Sequence, residues 1–87
     1  MAEKLILEVV TPERAVVSEE VQIVMAPGSE GEFGVLKGHT TFLASLKSGI
    51  LRFETASGTQ KNFQIEGGFA EVLPDKVTVL AESAVEV

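Results

Sequence analysis

Apolar residues recur at every second position through most of this chain, and that period constrains the fold more than any other feature. In "KLILEVV", Leu5, Leu7 and Val9 fall on one face. In "VQIVMAP", Val21, Ile23 and Met25 do the same, with Gln22 opposite. "ILRFETA" sets Leu51 and Phe53 against Arg52 and Glu54, and "NFQIEGG" sets Phe63 and Ile65 against Gln64 and Glu66. "KVTVLAE" sets Val77, Val79 and Ala81 against Thr78 and Glu82. Side chains of a strand alternate between its two faces, so this pattern reads as half-buried β-strands, and no window carries a helical stripe. Turn signals separate the runs. "TPER" opens with a Pro that fixes φ, and "PGSEG" suits a Pro-Gly turn of type II with Gly28 at positive φ. "ASGTQ" reads as a hairpin loop, "LPDK" as a type I turn, and Gly67-Gly68 as a bulge or sharp bend. "TTFLASLKSG" is open to two readings, a strand or a single helical turn ending at Gly49. Many short strands at such spacing mean an all-β sandwich or barrel.

Length and composition narrow this to one body. A chain of 87 residues is enough for a single domain spanning 1–87, and it buries only roughly 60–65% of its unfolded surface. The 45% of hydrophobic residues can supply the core unaided. There is no cysteine, which excludes disulfides, thiolate zinc sites and thiol nucleophiles and fits a cytoplasmic compartment. The net charge of −6, with seven scattered Lys and Arg, argues against a nucleic-acid partner. Five Phe and no Tyr or Trp make a poor stacking platform. No apolar run is long enough for a spanning helix. "MAEKLILEVV" lacks the features of a signal peptide, so the expectation is a soluble protein that meets a membrane only through a partner.

Reactive side chains are scarce. His39 is the single histidine. As a general base it would need an orienting acid and a nucleophile nearby, and a cupin-type metal site needs further histidines. The residues favour a turn histidine that packs on strand ends or bonds a carbonyl; a small jelly-roll-like metal protein or enzyme using His39 is the alternative. Gly28, Gly31 and Gly34 do not form a phosphate cradle, because a strand rather than a helix follows them. Glu19-Glu20 and Glu30/Glu32 lack the apolar surroundings that raise a carboxylate pKa for acid catalysis. The residues thus point to a protein that acts through its surfaces. Several strands carry apolar residues on both faces: Ile6 and Val10 on the first, Val24 opposite Ile23, Leu80 opposite Val79. This surplus fits an outer face covered by something else, and it fits ordinary scattered surface aliphatics equally well.

Five motifs then fall in register from about Leu5 to Glu82: "LEVVTPER", "VxxVxAPGSEGEFGVLKGH", "LKSGxLR", "GGFAEV" and "VTVLAE". Together they closely resemble the epsilon subunit family of F-type ATP synthases, called delta in mitochondria. The resemblance implies a flattened β-sandwich of two mainly antiparallel sheets with about ten short strands. It implies a non-catalytic rotor subunit that binds gamma and rests on the c-ring, coupling proton translocation to ATP synthesis. No cofactor and no metal are implied. Carried over by position, Ser29, Glu30, Gly31 and Glu32 match a loop facing the c-ring. Val35, Leu36, Lys37, Gly38, His39, Thr40 and Thr41 match a turn at the same end of the sandwich, near gamma and the ring. Longer family members continue into a C-terminal helical hairpin that carries inhibition and, in some, an ATP site. That hairpin is absent from this sequence, so neither property is expected of it. "KGH" stands where "PGH" is commoner. The expected location is peripheral, on the cytoplasmic face of a bacterial plasma membrane.

Overall fold

The second strand organises the molecule. The computed structural model describes residues 4–38 and 41–87, which form nine strands: β1 Leu5–Val10, β2 Ala15–Gly28, β3 Gly31–Leu36, β4 Phe42–Leu46, β5 Gly49–Thr55, β6 Gln60–Ile65, β7 Gly68–Leu73, β8 Lys76–Leu80 and β9 Ala84–Glu86. β2 is 14 residues long and changes partners along its length. Ala15 to Val21 pair antiparallel with β1. Beyond Val21 the strand pairs with β5 on one side and, from Ile23 to Gly28, with β3 on the other.

Between Val21 and Ile23 the register against β5 shifts, leaving Gln22 unpaired as a bulge. Because side chains alternate, one extra residue reverses which parity faces the core. Val17 and Val21 are buried before the bulge, and Val24 and Ala26 after it. Ile23 and Met25, expected to share a face with Val21, lie half-buried on the opposite face instead. The Gln22 amide pins the bulge, its Nε2 donating to the carbonyls of Thr55 at 3.3 Å and Ala56 at 3.2 Å.

With β2 serving twice, the nine strands make two sheets. The first runs β2–β1–β8–β7–β4 and the second β3–β2–β5–β6–β9. The β1–β8 pair is parallel, and the remaining pairs are antiparallel. The expected ten short strands are these nine with the long one counted in both sheets. "TTFLASLKSG" resolves as β4, a strand, and not as a helical turn. Gly68 adopts φ +111, and a Cβ there would sit 1.8 Å from the Leu80 carbonyl oxygen, so no other residue fits this bend.

The inner faces carry the core: Leu5, Leu7 and Val9 of β1, Val77 and Val79 of β8, and Leu51, Phe53, Phe63 and Ile65 of the second sheet. Phe53 and Phe63 stack at a centroid distance of 5.9 Å. The two long sides of the sandwich close differently. Phe33 of β3 meets Phe42 of β4 edge to face at 5.3 Å, where Gly28 also pairs with Leu46. On the other side, Glu19 and Lys61 share the parity of the core residues on their strands and pair at 3.1 Å.

The bulge predicts an asymmetry opposite to simple alternation. Val24→Asp should cost about 4 kcal/mol or more, because it buries an unpaired carboxylate. Ile23→Asp, one residue earlier, should cost about 1 kcal/mol. Urea denaturation of the two variants checks this; equal losses would refute the reversed parity.

Candidate partner-binding surfaces

The β2–β3 turn is the first surface. Ser29 and Glu30 form the turn and are exposed, and Gly28 pairs with Gly31 across it. The positive φ belongs to Gly31, at +135, and not to Gly28 as a Pro-Gly turn of type II would require. Gly28 is needed for a different reason: a Cβ there would lie 2.6 Å from the Gly31 carbonyl oxygen and 2.9 Å from Cδ2 of Phe33. The end of β4 braces the turn. Ser29 N–H donates to the Ser45 carbonyl at 2.9 Å, the two serine hydroxyls bond at 3.0 Å, and Lys47 N–H donates to the Pro27 carbonyl at 3.0 Å. Glu32, the first outward side chain of β3, pairs with Arg52 of β5 at 2.5 Å.

The second candidate segment stands elsewhere. β3 runs six residues between the two, about 17–20 Å at the usual rise per strand residue. Lys37 and Gly38 therefore lie at the opposite end of β3 from Ser29 and Glu30, and not at the same end as the resemblance suggested. Gly38 N–H donates to the Pro74 carbonyl at 2.7 Å, tying this segment to the β7–β8 turn of the first sheet. Leu36, Lys37, Gly38 and Thr41 are exposed. Val35 is fully buried in the core and has no surface to offer a partner, so its place in the interface is corrected. His39 and Thr40 lie outside the described residues.

A third surface was only half visible in the sequence. On the outer face of the first sheet, register places Val10 beside Leu80 and Leu80 beside Phe69. Leu80 is 52% exposed and Phe69 54%. The three apolar side chains form a row at one end of the sheet, above a shallow depression of ≈ 410 Å³ that Pro12 and Ala81 help to line. The next row runs Glu8, Thr78, Glu71 and Leu43, and Glu8 pairs with Lys76 at 3.2 Å. Val10 and Leu80 already showed as a surplus in the alternation; Phe69 did not. Its signal was the inward parity of Ala70 and Val72, which forces Phe69 outward.

Among the described residues, no three Asp, Glu, His or Cys side chains converge in a way that could hold a metal ion. Residues 4–87 match the family model described as ATP synthase, Delta/Epsilon chain, beta-sandwich domain. The chain belongs to this family. It is 71% identical over 84 residues to the ATP synthase epsilon chain of Desulforapulum autotrophicum, covering 97% of this chain and 62% of that one. It is 67% identical to that of Desulfatibacillum aliphaticivorans, covering 60% of it. The chain thus spans about three-fifths of the length of these relatives. Among solved structures, it superposes with TM-score 0.92 and 31% identity on a chain of the Euglena gracilis mitochondrial ATP synthase, in a cryo-EM structure of OSCP, F1 and c-ring. That match covers 99% of this chain and 55% of the other. A chain of the Tetrahymena thermophila enzyme shares the fold with TM-score 0.80 at 17% identity. A metal-binding or catalytic jelly roll built on His39 finds no support among these relatives.

The close approach at Gly28 yields a prediction. Gly28→Ala should lower stability by about 1–3 kcal/mol through crowding alone, although its φ is ordinary. Thermal and urea unfolding test it, and an unchanged midpoint would show that the turn can relax.

Proposed function

We propose that this chain is a non-catalytic module of the ATP synthase rotor. It grips the gamma subunit through the outer face of its first sheet and presents the β2–β3 turn to the c-ring. In that role it helps couple proton translocation to ATP synthesis and sits peripherally, on the cytoplasmic side of a bacterial membrane. The observation that carries the reading is the exposed row Val10–Leu80–Phe69 on a family member whose neighbours are ATP synthase chains.

The physical logic is that of an interface with a dry centre and a polar rim. A standard interface hides about 800 Å² per partner, about a sixth of this chain's 4953 Å². Fully burying a Phe or Leu side chain contributes about 1.5–3 kcal/mol, so two such anchors can dominate the affinity. Leu36, Lys37 and Gly38 lie toward the other end of the same sheet, where Gly38 is bonded to the β7–β8 turn, four residues along β8 from Leu80. The turn at Ser29 and Glu30 adjoins the Phe69 end of the row, because Ser29 N–H is bonded to the Ser45 carbonyl and Ser45 pairs with Phe69; it is left to the ring. The two candidate segments stand at opposite ends of β3, and the one beside the apolar row is the Ser29–Glu30 turn.

Co-expression with the cognate gamma subunit, followed by size-exclusion chromatography, tests this. The native chain should co-elute one to one. Phe69→Asp combined with Leu80→Asp should weaken the complex at least about a hundredfold. The same double variant should leave the isolated chain's unfolding midpoint nearly unchanged, since both sites are exposed. Separate peaks for the native chain at micromolar concentration, or an unaffected double variant, would overturn the proposal.

A further inference from the structure

The outward positions of β3 are Glu32, Gly34 and Leu36. Gly34 has no side chain, and Leu36 projects into solvent at the far end of the strand. β3 is also an edge strand, hydrogen-bonded to β2 on one side among the described residues. On its outer face, then, one side chain near the turn can tie it down, and that side chain is Glu32. Register shows how. Glu32 is opposite Pro27, and Arg52 is opposite Met25, so the carboxylate and guanidinium meet above β2. The pair bridges two strands that are not neighbours and straps the edge strand to β5 in the interior of the second sheet. Glu30, two residues earlier, forms no ion pair among the described residues.

We infer that Arg52 is a positioning residue for the docking turn. It holds Glu32, and through it the turn Ser29–Glu30, in the geometry that meets the ring, while leaving the Glu30 carboxylate free for a cationic group of the partner. This rests on the proposed rotor role and adds a residue outside the turn itself. The fork of Arg52 suits the task better than an ammonium, because a planar donor restricts direction as well as distance.

The test titrates the chain onto ATP synthase complexes depleted of this subunit, with amide hydrogen exchange at Ser29 as a second readout. Arg52→Gln and Glu32→Gln should each weaken binding about three- to fivefold, the scale of an exposed ion pair. The double variant should be no weaker than either single one, since the tether can be cut only once. Exchange at Ser29, whose N–H is bonded to the Ser45 carbonyl, should quicken in all three variants. The swap Glu32→Arg with Arg52→Glu should restore both binding and exchange. Arg52→Gln binding like the native chain would overturn the inference. So would a swap that recovers slow exchange but stays weak, because Glu32 would then touch the partner itself. If the native chain fails to bind the depleted complex, the rotor role fails and the inference falls with it. Native binding with an indifferent Arg52→Gln removes the inference alone.

Discussion

Everything in this fold depends on one residue too many in β2. A strand of ordinary alternation could serve one sheet, or serve two only by burying the wrong face in the second. The unpaired Gln22 corrects the parity at the point where the strand passes from β1 to β5, so that both halves turn apolar side chains inward. The cost of an interrupted ladder is offset locally, since the Gln22 amide takes up carbonyls at the end of β5 and just beyond it. With one strand covalently shared, the two sheets cannot slide independently.

That constraint suits the proposed rotor role, in which the body transmits force. The apolar row on the first sheet and the turn on the second are set on the same core through the same strand. On one side the sheets are closed by the Phe33–Phe42 contact and the Gly28–Leu46 pairing, and the turn hangs directly from that closure. Interiors packed to solid-like density pass strain on instead of absorbing it. A load applied at the turn therefore reaches the first sheet through short, stiff connections, without a hinge of exposed glycines between them.

Much of this was legible in the residues, and the rest was not for identifiable reasons. β1, β5, β6 and β8 announced themselves because their alternation runs unbroken and their buried faces match the parity of the sequence. β2 misled beyond Val21, because a bulge is a matter of pairing and leaves no periodic trace; a polar Gln22 between apolar runs was its faint sign. The two candidate segments were placed at one end of the sandwich by the resemblance. A six-residue strand lies between them, and a strand converts proximity along the chain into separation in space. Val35 entered the interface by position in a motif, whereas its parity within β3 already assigned it to the core.

Charge settles how the surfaces divide the work. Of the seven Lys and Arg, three are committed among the described residues: Arg52 to Glu32, Lys61 to Glu19 and Lys76 to Glu8. Against thirteen acidic residues this leaves a surface dominated by carboxylates, Glu30 and Glu71 among them. Such a field repels most macromolecules and rewards a partner that brings cationic groups to the rim. Exposed charges are screened over about 10 Å at ordinary ionic strength, so they orient an encounter and contribute less to holding it. In the proposed role, grip comes from a place where large apolar side chains stand together, the row of Val10, Leu80 and Phe69. The proposed rotor role uses both properties side by side, since the turn is braced by Ser45, which pairs with Phe69. A contact that holds through every turn belongs on the apolar face, and a contact that sets register belongs on a short, braced turn with a single unpaired carboxylate.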